Sequence, residues 1–151
     1  MNDAVECIRR WDSRRPEVGV ILGSGLGKLA EALSEAIRIP YASIPGFPPA
    51  VVPGHAGEIV IGSLTGKTVA TLSGRAHFYE GHHPVRVTFP VRVLRGLGCH
   101  TLVVTNAAGA LNPSFEVGDL MIIDDHINLV ALCGSNPLRG LHEPDLGPQF
   151  V

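Results

Sequence analysis

A glycine-rich turn directly after a short apolar run constrains this chain more than any other feature. The run Val18–Leu22 is typical of a buried β-strand, residues 23–27 read Gly-Ser-Gly-Leu-Gly, and a helical pattern follows over residues 26–34. A strand that ends in such a turn and leads into a helix directs several backbone N–H groups, and the positive end of the helix dipole, at one spot. The sequence therefore predicts a phosphate site here, with the Ser24 hydroxyl as an additional donor.

The spacing of the glycines separates residues 23–27, the glycine turn, from the common nucleotide-binding motifs. Gly23, Gly25 and Gly27 do not match the spacing of the dinucleotide fingerprint, and no Gly-Lys-Ser/Thr closes a P-loop. The nucleophile elbow of hydrolases needs Gly-x-Ser-x-Gly, and Leu22 stands two residues before Ser24. A free phosphate is thus the expected anion, although the turn alone is equally compatible with simple packing of a helix on a strand.

Three further segments carry functional side chains beside strand-like runs. They are residues 53–57 with His55, residues 73–81 with Arg75, His77 and Tyr79, and residues 105–112 with Asn106 and Ala107. Arginine offers a planar fork that matches two phosphate oxygens, and alternation in an extended segment places Arg75, His77 and Tyr79 on one side. Because α/β proteins bind ligands at the carboxyl ends of strands, we expect one shared pocket. His55 taken by itself is more typical of a loop histidine with a structural role.

Six segments together resemble, in chain order, the signatures of the trimeric purine nucleoside phosphorylases. They are residues 20–27, 44–47, 74–81, 88–93, 105–109 and 125–129. The resemblance covers nearly the whole chain and is to the amino-terminal half of that family. The sister methylthioadenosine phosphorylases share the fold, but the glycine turn and the run Phe78-Tyr79-Glu80-Gly81 resemble the purine nucleoside branch more closely.

The resemblance implies phosphate-dependent cleavage of the N-glycosidic bond of purine ribonucleosides and deoxyribonucleosides. It implies that phosphate is bound by Ser24, His55, Arg75, His77 and the backbone N–H of Ala107, and that Tyr79 lies against the sugar. Inorganic phosphate is the co-substrate, and no cofactor or metal is implied. The resemblance further implies that the complete protein is a homotrimer with a role in purine salvage.

The chain ends at Val151 within what resembles a family segment. We therefore expect residues 1–151 to form a single partial phosphorylase domain, incomplete at its carboxyl end. The catalytic groups that recognise the purine are expected in the second half of the family domain. The alternatives are a non-catalytic phosphate-binding fragment that needs another chain, and a methylthioadenosine phosphorylase.

Composition limits the class of protein and its partners. A formal net charge of −2 argues against nonspecific nucleic-acid binding, and no apolar window is long enough to span a membrane. The amino terminus lacks a signal-peptide pattern, and Cys7, Cys99 and Cys133 are odd in number and widely spaced, so we expect reduced thiols and a cytoplasmic protein. His77, His82 and His83 lack the spacing typical of zinc ligands, so no metal is expected.

Hydrophobic periodicity and turn residues predict an α/β fold with a mixed central β-sheet flanked by helices. The predicted helices cover residues 3–11 and 26–34, and a third opens at Thr88 and is closed by Gly96 and Gly98. The predicted strands cover residues 18–22, 37–39, 58–64, 67–72, 101–105 and 119–124, with a hairpin at Thr65-Gly66 and a proline-rich loop over residues 40–53.

Overall fold

A computed structural model of the chain describes residues 1–49, 56–129 and 134–138. The chain divides into two compact units, Met1–Ala107 and Ala108–Val151. The first unit contains a five-stranded sheet. Its strands are β1 (Val18–Leu22), β2 (Ser34–Pro40), β3 (Glu58–Leu64), β4 (Lys67–Ser73) and β5 (Thr101–Val104).

The sheet has the strand order β2-β3-β4-β1-β5. Strands β2, β3 and β4 pair in antiparallel fashion, whereas β1 pairs in parallel with both β4 and β5. The predicted mixed sheet is therefore confirmed, as is the hairpin that joins β3 to β4 through Thr65 and Gly66. The parallel half matters for function, because it brings three carboxyl strand ends to one edge.

Helices cover both faces of the sheet. They are α1 (Asn2–Trp11), α2 (Lys28–Glu31), α3 (Pro84–Val87) and α4 (Phe89–Leu97), with 3-10 turns at Tyr41–Ser43 and Phe78–Glu80. A Cβ atom on Gly96 would lie 2.8 Å from Val5 Cγ2, so this glycine allows α1 and α4 to pack closely. No helix among the residues described here is long and apolar enough to cross a membrane.

Alternation along the strands divides the core into two layers, one on each face of the sheet. The larger layer joins the buried faces of α1 and α4 to the sheet through Ile8, Leu94, Leu97, Ile21, Ile59, Ile61 and Leu72. The smaller layer contains Ala30 of α2 and the adjoining Leu33, which pack with Val20, Leu22, Val60 and Val69. Burial of these branched side chains fixes the register of β1, and with it the position of the glycine turn.

The prediction of a long helix over residues 26–34 is wrong. Helix α2 spans only Lys28–Glu31, and Ser34 already begins β2, which pairs Ile37 with Ile61 of β3. One helical turn costs backbone entropy that few hydrogen bonds offset, whereas a strand beside β3 completes a ladder. The same pairing makes β2 longer than the predicted residues 37–39.

Three further details differ from the structure. Residues 119–124 form no strand in the described part of the second unit, and Leu120 and Ile122 are exposed, because a strand needs a paired neighbour to satisfy its backbone. Gly96 lies inside α4, and Gly98 alone, with a φ of +124°, ends it. The Thr88 hydroxyl donates to the carbonyls of Pro84 and Val85 in α3 instead of capping α4.

Candidate functional site

The three parallel strands end at the same level of the sheet. Leu22 of β1 pairs with Ser73 of β4, and Ile21 of β1 pairs with Val104 of β5. The glycine turn therefore lies between the segment that follows β4 and the segment that follows β5. These are the segments that the sequence predicts to form one pocket.

Gly23 is required by the close approach of the β1 and β5 chain ends. A Cβ atom at this position would lie 2.7 Å from the Thr105 carbonyl oxygen and 2.9 Å from Asn106 Cα, which no side chain can occupy. Gly25 has a different reason to be glycine, because its φ of +86° lies in the left-handed region. A Cβ atom on Gly25 would meet no neighbour within 4 Å, so the space above it is open to a ligand.

Backbone N–H groups of the glycine turn are available for an anion. No described residue accepts a hydrogen bond from the N–H groups of Ser24, Gly25 or Gly27, and Ser24 and Gly25 are exposed. Helix α2 is a single turn, so its dipole supplies less support than the predicted long helix would. The capacity of this turn to bind an anion thus depends on individual N–H donors and the Ser24 hydroxyl.

Thr105 joins the glycine turn to the end of β5, a role that the sequence did not reveal. Its hydroxyl accepts a hydrogen bond from the Gly23 N–H at 2.8 Å and donates one to the Ile21 carbonyl at 2.9 Å. The Thr105 N–H also donates to the Ile21 carbonyl, at 3.1 Å. One threonine therefore fixes the geometry at which β1 passes into the glycine turn.

Arg75 lies at the same place, after β4. The backbone turns at Gly74, whose φ is +102°, and Arg75 Nη1 then donates to the Thr105 carbonyl at 2.9 Å. This is the only hydrogen bond that the Arg75 side chain makes within the described ranges, so most of its five N–H donors are available. A partly buried guanidinium with one donor anchored and the others available is suited to bind an oxyanion.

His77 and Glu80 form a connected pair beyond Arg75. The Glu80 carboxylate accepts a hydrogen bond from the His77 backbone N–H, and Glu80 Oε2 lies 3.3 Å from His77 Nδ1. The hydrogen bond from the His77 backbone N–H, together with the nearby His77 and His82 rings, lowers the pKa of Glu80. Glu80 is a second residue that the sequence did not single out, and its position three residues after His77 is the spacing of a capping box.

Tyr79 reaches the site differently from the predicted alternation. Residues Phe78–Glu80 form a 3-10 turn, so the segment is not extended at this point. The Tyr79 ring instead stacks on the His77 ring, with centroids 4.8 Å apart and an interplanar angle of 19°. The Tyr79 side chain is 76% exposed and offers an open aromatic surface next to the histidine.

Buried polar atoms without a partner are concentrated along the same segment. Within the described residues, Ser73 Oγ, Glu80 Oε1 and His82 Nε2 are buried and make no hydrogen bond. Native proteins rarely leave such atoms unsatisfied, so water or a ligand is expected beside them. No group of three or more His, Cys, Asp or Glu side chains with the geometry of a metal site occurs in the part of the chain described here.

The structure brings together some of the predicted site residues. Arg75 contacts Thr105 beside the glycine turn, and His77 contacts Tyr79. The Ala107 N–H has no acceptor among the described residues, and neither has the Ser24 hydroxyl. His55 lies outside the described residues.

Comparisons with known proteins show which family the sequence matches. The sequence profile of the Phosphorylase superfamily matches residues 17–150. Purine nucleoside phosphorylase 1 of Geobacillus stearothermophilus is 56% identical over 150 residues, which cover 99% of this chain and 54% of that protein. Purine nucleoside phosphorylase of Bos taurus is 53% identical over 148 residues, which cover 98% of this chain and 51% of that protein.

A solved structure supports the same relationship. The purine nucleoside phosphorylase of Schistosoma mansoni in complex with inosine superposes with a TM-score of 0.89 at 42% identity, over 99% of this chain and 52% of that chain. The present chain therefore spans about half the length of the curated relatives it matches.

Proposed function

The chain belongs to the phosphorylase superfamily, and we propose that it supplies the phosphate and sugar side of a purine nucleoside phosphorylase site. The reaction cleaves the N-glycosidic bond of a purine ribonucleoside or deoxyribonucleoside with inorganic phosphate. Its products are the free base and ribose 1-phosphate or deoxyribose 1-phosphate. The activity is that of a pentosyltransferase, with phosphate as co-substrate and no cofactor.

The observation that carries this proposal is the hydrogen bond from Arg75 to the Thr105 carbonyl beside the glycine turn. It fixes a planar cation next to a turn whose Ser24, Gly25 and Gly27 N–H groups have no acceptor among the described residues. Phosphate presents several oxygens to such donors, and a guanidinium fork can bind two of them at once. A cation would be repelled by this set of donors, and a neutral ligand would leave the charge of the guanidinium uncompensated.

The proposed phosphate ligands are Ser24, His55, Arg75, His77 and the backbone N–H of Ala107. His77 contributes through its imidazole ring, whose Nδ1 lies 3.3 Å from Glu80 Oε2. Tyr79 lies against the sugar, a role supported by its exposed ring stacked on His77. The contribution of His55 rests on the sequence resemblance alone.

The chemistry requires positioning more than covalent catalysis. A phosphate oxygen forms a bond to the anomeric carbon while the bond from that carbon to the purine nitrogen breaks, and the electron pair leaves with the base. Positive charge develops on the sugar ring, and the phosphate bound beneath it stabilises that charge. Arg75 and the glycine turn would hold the nucleophile in line, which lowers the entropic part of the barrier.

We propose that the complete protein is a homotrimer that acts in purine salvage, as the resemblance to trimeric purine nucleoside phosphorylases implies. Net charge, hydropathy and cysteine spacing support the further proposal that it lies in the cytoplasm and binds neither nucleic acid nor membranes. Light scattering coupled to gel filtration of the complete protein tests the assembly, and a mass other than three chains would contradict it.

Calorimetric titration with inorganic phosphate tests the central claim. Wild type should bind phosphate, and Arg75→Ala should lose most of that affinity. Arg10→Ala is the matched control, since it removes the same charge from an exposed position on α1. Equal phosphate affinity in Arg75→Ala and Arg10→Ala would contradict the proposed site.

A further inference from the structure

Thr105 contacts two separate parts of the proposed phosphate site. Its hydroxyl bonds to the Gly23 N–H and to the Ile21 carbonyl, at 2.8 Å and 2.9 Å. Its carbonyl accepts the hydrogen bond from Arg75 Nη1 at 2.9 Å. Both contacts lie within the unit Met1–Ala107.

The hydroxyl performs a task that few side chains can perform. It accepts a hydrogen bond from the Gly23 N–H and at the same time donates one to the Ile21 carbonyl, so it satisfies both backbone groups at the point where β1 ends. Serine has the same donor and acceptor, whereas valine has the shape of threonine with neither. The Gly23 N–H is part-buried at this contact, and loss of the hydroxyl would leave it without a partner.

The close approach of Gly23 makes the arrangement rigid. The Thr105 carbonyl oxygen would lie 2.7 Å from a Cβ atom on Gly23, so the glycine turn and the Arg75 acceptor are in direct contact. A shift of the glycine turn must therefore move the Thr105 carbonyl, and with it the hydrogen bond that anchors Arg75. Thr105 thus connects the two sets of anion donors through the shortest contacts between them.

We infer that Thr105 is a positioning residue that holds the glycine turn and the Arg75 guanidinium at the separation required to bind one phosphate. The inference rests on the proposed function for the identity of the anion. Thr105 itself donates nothing to the phosphate in this arrangement, because its hydroxyl and its N–H both donate to the Ile21 carbonyl.

Three variants separate this role from ordinary stabilisation. Thr105→Val removes the hydroxyl, Thr105→Ser keeps it, and Thr71→Val is a control for loss of a buried threonine hydroxyl. Thr71 is fully buried in β4, and its hydroxyl donates to the Val60 carbonyl at 3.3 Å, away from the strand ends. Thermal unfolding of all three gives the purely structural effect.

Phosphate affinity is measured by calorimetric titration of each variant with inorganic phosphate. Thr105→Val should raise the dissociation constant roughly tenfold, the effect expected from loss of one to two ordinary hydrogen bonds. The dissociation constants of Thr105→Ser and Thr71→Val should stay within about twofold of the wild-type value. Serine retains the hydroxyl at position 105, and Thr71→Val leaves Thr105 unchanged. An unchanged affinity in Thr105→Val, or an equal loss in Thr71→Val, would overturn the inference.

Amide hydrogen exchange of Gly23, read by NMR without phosphate, tests the same residue independently of the ligand. The Gly23 amide should exchange roughly tenfold faster in Thr105→Val than in wild type or Thr105→Ser, because its acceptor is lost. Exchange at the wild-type rate in Thr105→Val would overturn the positioning role. If wild type binds no phosphate, the proposed function fails, while the Gly23 exchange rates still decide whether Thr105 fixes the turn.

If Thr105→Val does not fold, amide exchange of the wild-type protein alone tests the inference. The Gly23 amide should then be protected in wild type, whereas the amides of Ser24 and Gly25, which have no acceptor among the described residues, should exchange rapidly. A Gly23 amide that exchanges as fast as those of Ser24 and Gly25 would overturn the inference.

Discussion

Gly23 and Thr105 lie so close together that no Cβ atom fits on Gly23 between the end of β1 and the end of β5. A Cβ atom on Gly23 would approach the Thr105 carbonyl oxygen to 2.7 Å, and that oxygen is the acceptor for Arg75. The contact between Gly23 and Thr105 thus determines both how the ends of β1 and β5 pack and where the Arg75 guanidinium lies.

Gly23→Ala should destabilise the protein by about 1–3 kcal/mol, the usual cost of forcing a group into occupied space. Gly27→Ala is the matched control, because Gly27 has a φ of −55° and no atom would lie within 4 Å of its Cβ. The control should remain within about 0.5 kcal/mol of wild type. Urea denaturation measures both, and equal stability of the two variants would contradict the contact.

Gly25 tests the glycine turn through its backbone alone. Its φ of +86° lies in the left-handed region, where a β-branched residue is strongly disfavoured. Gly25→Val should therefore weaken phosphate binding more than Ser24→Ala does. Ser24→Ala removes one hydroxyl, and the hydrogen bond that it would donate to a charged group contributes about 1.5–3 kcal/mol to the binding free energy. Calorimetry compares the two, and unchanged phosphate affinity in Gly25→Val would exclude the glycine turn as an anion site.

Arg75→Lys separates the shape of the cation from its charge. Lysine keeps the positive charge but lacks the planar fork, and it cannot bond the Thr105 carbonyl and two phosphate oxygens in the same geometry. We expect phosphate affinity to fall roughly tenfold or more, as for loss of a charge-assisted hydrogen bond. Phosphate titrations compare this variant with Arg10→Lys, and equal affinity in both would show that charge alone matters.

Glu80 should make stability depend on pH in the acid range. Its pKa is lowered from the ordinary value of 4.5, chiefly by the hydrogen bond from the His77 backbone N–H, so its ionised form stabilises the folded state. This contribution is complete above pH 4.5 and is lost as the pH falls through the lowered folded pKa. Glu80→Gln should be less stable than wild type at pH 7, and the difference should shrink below pH 4.5.

Thermal unfolding over a pH series measures this difference. Glu31→Gln is the control, because Glu31 is an exposed glutamate on α2 with no ion pair among the described residues. A stability difference for Glu80→Gln that stays constant from pH 7 to the acid range would contradict the Glu80 assignment.

Those parts of the fold where local pattern and tertiary packing agree could be predicted from the sequence. Strand β1 and the hairpin of β3 and β4 have apolar runs bounded by turn residues, and the sheet buries these same runs. The end of helix α2 could not be predicted, because β2 begins at Ser34, within the predicted helix, and pairs with β3. Such competition depends on the neighbour in space, which periodicity does not contain.

The site could be predicted in part for the same reason. Arg75 and the glycine turn carry chemistry in their residue types, so both are visible in the sequence. Thr105 and Glu80 were missed because their roles arise from position. Thr105 matters because β1 lies between β4 and β5, and Glu80 matters because a 3-10 turn folds it back onto His77.

The outer edge of β5 yields the last prediction. No strand pairs with that edge in the described part of the chain, and Leu102, Val103 and Val104 are 41%, 44% and 60% exposed. An open apolar strand tends to acquire a partner, and the relatives have about twice as much chain with which to cover it. We therefore expect the 151-residue chain alone to release no hypoxanthine from inosine in the presence of phosphate.

We expect the same chain joined to the second half of the Geobacillus stearothermophilus relative to release hypoxanthine, because the additional chain can cover the open edge of β5 and the reaction needs groups that bind the departing base. Arg75→Ala in the joined protein is the control, and it should abolish most phosphate-dependent turnover without unfolding the protein. Absorbance of the released base measures each reaction. Robust turnover by the 151-residue chain as a monomer would mean that these residues already contain every group the reaction needs, and the assignment of base recognition to a further segment would be wrong.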